Sequence, residues 1–564
     1  MPRPSRPRRP FTLSVSLVSL VTSLVVAAGL GGVSATPAAA ESYVPISGAG
    51  STWSQNAIDQ WRRNVNQYGM KVNYQGSGSS DGRNQFRNGT VDFAVSEIPY
   101  GLSDGGVVDT PPERSYAYMP IVAGGTAFMY NLKIGGKRVT NLRLSGENIA
   151  KIFTGGLKRW DDPALKADNP GLQLPARSIV PVVRSDGSGT TAQFSTYLAK
   201  RHSATWDAYC ASAGRSTKPC GVTSNYPVAS GRGFVAQSGS LGVAGYVAQA
   251  QSEGAITYVE YSYALNSGFP VAKMLNDNGY YVEPTASNVA VALLQAKINT
   301  DKSSSQYLTQ ILDGVYGARD NRAYPMSSYS YIVLPTEATG TFNLSKGKTL
   351  GDFGYYFLCE GQQQAPVLGF SPLPINLVQA GLEQIRKIPG VDPRTVDIKK
   401  CNNPTFSASG ENTMAKNAPQ PPACDKRGPV QCGTGTGGAK QSTATTGRTA
   451  PTGTVGAGSA SLPAGAGQPA AGAIGSAGSP VLPGAAELDP ALAAAASTAV
   501  DPDTGVAAGA APLAGGTVAA LPVSLTDAST GGSAPVLMAV AALVLVCVTL
   551  LPPLLSRRLR RSAP

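Results

Sequence analysis

The chain has 564 residues, enough for two or three ordinary domains. Its formal charge is +12, yet eight of the basic residues are arginines at the extreme ends: Arg3, Arg6, Arg8 and Arg9, and Arg557, Arg558, Arg560 and Arg561. That leaves 38 basic against 34 acidic residues, with no dense basic run interleaved with aromatics, which excludes a polyanion groove.

Residues 1–40 read as a secretory signal, with an Arg-rich start, an apolar stretch from Phe11 to Leu30 and small residues ending in Ala38-Ala39-Ala40. The folded body then opens with an apolar segment, Tyr43 to Ile46, and a turn, Ser47-Gly48-Ala49-Gly50-Ser51-Thr52. Trp53, Ala57, Ile58, Trp61 and Val65 recur at helical spacing and predict an amphipathic helix. A strand over Lys71 to Gln75 leads to a second small-residue turn, Gly76-Ser77-Gly78-Ser79-Ser80-Asp81-Gly82. A short helix through Phe86 follows, then a strand over Val91 to Val95. Ser178 to Val183 predicts another strand, followed by Arg184-Ser185-Asp186-Gly187-Ser188-Gly189-Thr190-Thr191 and a helix carrying Phe194, Tyr197 and Leu198. The alternation predicts an α/β fold of parallel strands with crossover helices.

Six cysteines fall in local pairs, Cys210 with Cys220, Cys359 with Cys401 and Cys424 with Cys432. Proximity favours those bridges, although six thiols allow fifteen pairings. From Gly433 to Gly532 the chain is Gly, Ala, Ser, Thr and Pro with few large apolar residues, the composition of a disordered stalk. Pro535 to Leu555 is long and apolar enough to predict a transmembrane helix, holding Cys547. The basic tail 556–564 should stay in the cytoplasm, leaving the body outside.

Three turns of one physical kind form the informative feature. A Gly/Ser/Thr turn entering a helix offers free backbone N–H groups, the positive end of the helix dipole and hydroxyl donors, all suited to a small oxyanion. Such residues also cap helices for purely structural reasons, so the expectation rests on the three turns converging. Thr52, Ser79, Ser188 and Thr190 are the candidate hydroxyl contacts, and Trp53 and Gly189 the candidate main-chain N–H donors. Arg184 would supply the one full positive charge, or else pair with Asp186. Glu97, just after a strand, could accept a hydrogen bond from a protonated phosphate while having nothing to accept from sulfate.

Gly48-Ala49-Gly50-Ser51-Thr52, Val72 to Ser80, Val91 to Glu97 and Arg184 to Thr190 resemble, in this order, the motifs of the periplasmic phosphate-binding proteins of Pst-type ABC transporters. Lys158-Arg159-Trp160-Asp161-Asp162, Asn169-Pro170-Gly171-Leu172 and Gly254 to Tyr261 are similar too. The likeness runs from about Ile46 to Ile388. It implies a two-lobed, type II-like binding-protein fold that closes by a hinge on dehydrated phosphate. Lobe I would comprise 43–120 with 295–395, lobe II 121–290, and 396–432 a Cys-containing extension. Thr52, Ser79 and Glu97 would face Arg184, Ser188 and Thr190 across the cleft. The family usually has Asp where Glu97 stands and Phe where Trp53 stands, and is commonly lipid-anchored or free.

The resemblance implies a monomeric receptor for inorganic phosphate serving an ABC permease and ATPase, with no cofactor, metal or nucleic acid. A surface sensor without transport, a receptor for sulfate, arsenate or a phosphonate, and a secreted phosphatase are the alternatives. The single histidine, His202, read as a solvated surface residue, gives a phosphatase little support and makes a His-rich zinc site impossible.

Overall fold

The computed structural model describes residues 43–444, apart from 105, 216, 217 and 408. The expected signal segment, the tract from 445, the apolar span 535–555 and the basic tail lie outside the described residues. Among the described residues no helix is long and apolar enough to cross a membrane.

The first lobe begins with β1 (Ile46–Gly50), α1 (Gln55–Asn66), β2 (Val72–Gln75), α2 (Ser79–Arg87) and β3 (Phe93–Ser96). β1 lies between β2 and β3, parallel to both. Helix α1 buries Ala57, Ile58, Trp61 and Val65, the stripe expected from the sequence. Gly48 and Gly50, read as part of a turn, instead belong to β1. A Cβ on Gly48 would lie 2.2 Å from the Phe93 ring, and one on Gly50 2.2 Å from the Val95 carbonyl. Glycine stands there because the neighbouring strand comes too close for a side chain.

The chain then enters β4 (Tyr116–Tyr130), which serves both lobes. The second lobe carries β5 (Val180–Arg184), α3 (Gly189–Arg201), β6 (Val235–Gln237), α4 (Gly239–Ala248), β7 (Ala255–Glu260) and β8 (Val271–Leu275). The chain returns to the first lobe through β9 (Ser327–Pro335). β4 is antiparallel to β9 from Tyr116 to Gly125 and antiparallel to β7 from Thr126 to Tyr130. The sheet order is therefore β6-β5-β7-β4-β9-β3-β1-β2, with β8 also on β4. The sheet is mixed rather than all parallel, because the two parallel halves are joined through the antiparallel pair β4 and β9.

The lobes change at Gly125/Thr126 and at Met326/Ser327, later than the boundaries at 121 and 290–295 read from the sequence. Val122 and Ala123 lie in the first lobe's core. Leu312, Val315, Tyr316, Ala323, Tyr324 and Met326 fill the second lobe's core, Tyr316 edge-on to Tyr197. Gly124-Gly125 marks the first crossing in the sequence, and Pro325 stands one residue before the second. A Cβ on Gly124 would come within 2.8 Å of Trp53, and one on Gly125 within 2.5 Å of Pro284.

Cys210–Cys220, Cys359–Cys401 and Cys424–Cys432 are the three disulfides. The extension starts on the first lobe, where Cys401 is bonded to Cys359 and Asn403 and Thr405 donate to the carbonyls of Leu373 and Pro372. It ends on the second, where Asp425 pairs with Lys273 and Arg143 donates to the carbonyls of Cys424 and Val430. Residues 433–444, assigned to the stalk by composition, belong to the body. The buried Thr436 hydroxyl sits between the carbonyls of Thr140 and Val271, and Gly437 N–H donates to Glu283. A Cβ on Gly438 would lie 2.6 Å from Gly268, so these small residues fit a tight contact rather than a loose tether.

Candidate functional site

Each lobe sends strand ends into helix starts at the cleft. β1 leads into Ser51 and Thr52, and β2 into the Gly76–Gly78 turn ahead of α2. β5 leads into the Asp186–Ser188 turn ahead of α3. β6 leads into Ser238, Gly239 and Ser240 at the start of α4. Helix starts leave backbone N–H groups without intrahelical acceptors and carry the positive end of the dipole, so their convergence gathers uncharged donors in one place.

The turns do converge. A Cβ on Gly189 would lie 1.9 Å from Glu97 Oε2 and 2.5 Å from Ser79 Oγ, so the start of α3 meets the acid of the opposite lobe with no room for a side chain. Ser80 N–H donates to the Gly187 carbonyl at 3.1 Å. Thr52 Oγ1 and Ser240 Oγ are 2.8 Å apart, and Ser240 N–H donates to Thr52 Oγ1 at 3.1 Å. The lobes are in contact across the cleft.

Glu97, 1% exposed, is the centre of the first lobe's wall. Its Oε2 accepts from Ser79 Oγ at 2.8 Å, and its Oε1 accepts from the hydroxyls of Ser330 and Ser51. Gln193 Nε2, one turn into α3, donates to the Glu97 main-chain carbonyl at 2.8 Å. Arg184, at the end of β5 and 3% exposed, is the centre of the second wall. Its guanidinium grips Asp186 through two hydrogen bonds, Nε to Oδ1 at 2.7 Å and Nη2 to Oδ2, and its Nη1 reaches Ser240 Oγ at 3.4 Å. Asp186 also accepts from Gly239 N–H at 2.9 Å. Burial pushes the Asp186 carboxyl up, but the Arg184 bonds outweigh it and hold the group below the usual carboxylate range. The Arg184–Asp186 pair weighed from the sequence is therefore present, buried in the cleft rather than on the surface.

The remaining residues singled out from the sequence divide by what their atoms touch. The Ser188 hydroxyl accepts from Thr191 N–H at 3.1 Å and so caps α3. Thr190 Oγ1, one residue beyond Gly189, is buried without a hydrogen-bond partner. Trp53 N–H donates to Ser51 Oγ at 3.0 Å, and its indole Nε1 donates to Thr126 Oγ1 at the lobe crossing. The main-chain donor expected of Trp53 is thus engaged by a hydroxyl, and its side chain packs in the first lobe's core at the lobe crossing.

Ser51, Ser240, Gln193 and Ser330 join the site without having been singled out. Ser240 had a signal: Val235–Gln237 followed by Ser238-Gly239-Ser240 repeats the strand, small-residue turn and helix pattern of the other turns. Ser330 had none, being one residue within an unbroken buried strand.

Behind the site, Glu260 is fully buried at the end of β7. Its Oε2 accepts from Ser262 N–H at 2.8 Å and from the Ser262 hydroxyl, while Oε1 has no hydrogen-bond partner. Burial, with the charge of Glu97 adding to it, pushes this carboxyl well above its usual range despite the Ser262 bonds. His202, expected in solvent, is half-buried against the Tyr197 ring, its Nε2 3.3 Å from Tyr197 OH, and burial lowers its pKa. Among the described residues no group of three or more His, Cys, Asp or Glu is placed to hold a metal ion.

Residues 33–360 match the profile of the PBP superfamily domain. The phosphate-binding protein PstS of Xylella fastidiosa is 34% identical over 349 residues, covering 61% of this chain and 86% of that protein. The phosphate-binding protein PstS of Methanocaldococcus jannaschii is 30% identical over 391 residues, covering 67% of this chain and 95% of that protein. Among solved structures, a phosphate-binding protein from Stenotrophomonas maltophilia is similar over 60% of this chain and 92% of its own, at 17% identity and a TM-score of 0.43.

Proposed function

The chain belongs to the PBP superfamily and, within it, to the PstS phosphate-binding proteins, and from that premise we propose that it is the receptor that captures inorganic phosphate for an ABC uptake transporter. The observation that carries this reading is the contact of Glu97 and Ser79 with Gly189 at the start of α3, which sets a hydrogen-bond acceptor among uncharged donors from both lobes. A protonated phosphate offers both its acceptor oxygens to the turns and its hydroxyl to Glu97. Fully ionised sulfate has no proton to give, so facing Glu97 costs desolvation and repulsion. Thr190 Oγ1, buried and without a partner, is a donor available to such a guest.

The proposal includes a binding role without catalysis. Ser51, Ser79 and Ser330 all donate to one acid, an arrangement that holds the acid rather than activating a nucleophile, and His202 sits against Tyr197 instead. It also includes export through residues 1–40 and tethering through 535–555, supported by the composition of those segments. Calorimetric titration of the purified, anion-stripped protein tests the reading. Phosphate and arsenate should bind tightly and sulfate at least a hundredfold more weakly; equal binding of sulfate and phosphate would reject it.

A further inference from the structure

Away from the anion turns, a second polar contact joins the lobes. Asp104 belongs to the first lobe, in the short strand Ser103–Asp104 that pairs with Val107–Val108. Its carboxylate is satisfied by the second lobe. Oδ1 accepts from Arg215 Nη1 at 2.9 Å, and Oδ2 accepts from Thr223 Oγ1 at 2.9 Å, Ser224 N–H at 2.9 Å and Ser224 Oγ at 3.3 Å. The Asp104 and Arg215 side chains are 20% and 16% exposed, so the pair is largely withdrawn from water.

The partners are tied to the anion site. The Ser224 carbonyl accepts from Ser188 N–H at 2.9 Å, and Ser224 Oγ lies 3.2 Å from Ser80 Oγ. Thr223 N–H donates to Ser195 Oγ, on α3, at 2.9 Å. Arg215 is held by the loop closed by Cys210–Cys220, its N–H bonded to the Cys210 carbonyl. Asp104 thus docks on the segment that supports the Ser188 turn and the helix behind it.

We propose that Asp104 is a positioning residue for closure: its carboxylate, received by Arg215, Thr223 and Ser224 when the lobes meet, latches the cleft and fixes the turn that carries Ser188. The physical reason is that these bonds exist only between lobes. Separation of the lobes returns Asp104 and Arg215 to water, so their mutual attraction contributes to the closed form and not to the stability of either lobe. A latch of this kind lengthens residence of the bound anion without touching it, and so acts on dissociation rather than on selectivity.

The proposal rests on the receptor reading above, and its test separates the two. In the full chain, Asp104→Asn and Arg215→Met should each speed phosphate dissociation, followed by stopped-flow, about tenfold or more, the size of a lost charge-assisted hydrogen bond. The association rate and the phosphate-to-arsenate ratio should stay within about twofold, and the double variant should be no faster than the faster single, as for one shared contact. In parallel, spin labels at positions 68 and 167, one on each lobe, should show Asp104→Asn shifting the interlobe distance toward the open form, a readout that needs no anion. Unchanged dissociation and distance distributions would overturn the proposal, as would a fall in the anion-free melting temperature with neither of those changes, which would make Asp104 a residue of its own lobe's fold. Failure of the parent protein to bind phosphate would sink the receptor reading, while the distance measurement would still judge the latch.

Discussion

The two walls of the cleft solve the same problem in opposite ways. The first lobe presents an acid, Glu97, held by the hydroxyls of Ser51, Ser79 and Ser330. The second presents a guanidinium, Arg184, already gripped by Asp186. Taken together, Glu97, Arg184 and Asp186 carry no net positive charge, so an anion must be held by helix ends, hydroxyls and one directional acceptor rather than by bulk attraction. Under the proposed receptor reading, selectivity and attraction are separated: the acid tests for a proton, and the helix ends and hydroxyls of both walls supply the pull.

The largest test of that division falls on the second wall. Arg184→Ala removes the cation and leaves Asp186 uncompensated beside the guest, so phosphate affinity by calorimetry should fall by about 1.5–3 kcal/mol, roughly tenfold to a hundredfold. Arg184→Ala with Asp186→Ala should regain part of it; a double variant as weak as the single would show that Asp186 does not repel the guest. Next comes the first wall. Glu97→Gln should reduce the phosphate-to-sulfate affinity ratio by roughly ten- to a hundredfold, as expected for about 1–3 kcal/mol of unpaired polar contact. Retention of the parent's ratio would remove Glu97 from the selection step.

The smallest effect concerns stability rather than binding. Glu260 has its folded-state pKa raised by burial, so its contribution is complete below the ordinary carboxylate value and is lost as pH rises, by up to about 1.4 kcal/mol per pH unit until the raised value is passed. The parent's melting temperature should therefore decline from pH 5 to pH 8 more steeply than that of Glu260→Gln. Parallel curves for the two proteins would mean that Glu260 is ionised in the fold. Such a result would blur the contrast between the walls by adding another charge behind Arg184.

Local pattern made much of this legible. The stripe Ala57, Ile58, Trp61 and Val65 predicts helix α1, and the recurrence of small-residue turns after strands predicts where the donors lie, because turn chemistry is written in consecutive residues. What pattern could not show was long-range. The switch of lobe at Thr126 occurs inside one continuous strand, and Ser330 reaches Glu97 from a strand more than two hundred residues later. Composition also misled at residues 433–444. Glycine and threonine there read as a loose tether, whereas Gly438 and Thr436 fit a crowded, hydrogen-bonded seam that only the folded second lobe creates.

Under the proposed receptor reading, that seam bears on which half of the molecule would move. The extension is bonded to the first lobe at Cys401 and packs on the second from Ala415 onward, so residues up to 444 lead toward the C-terminal end from the second lobe. Whatever restrains that end grips the lobe bearing Arg184 as the mount. The lobe bearing Glu97 and Asp104 would then be the swinging jaw, and the proposed proton test and latch would both arrive with the part that travels.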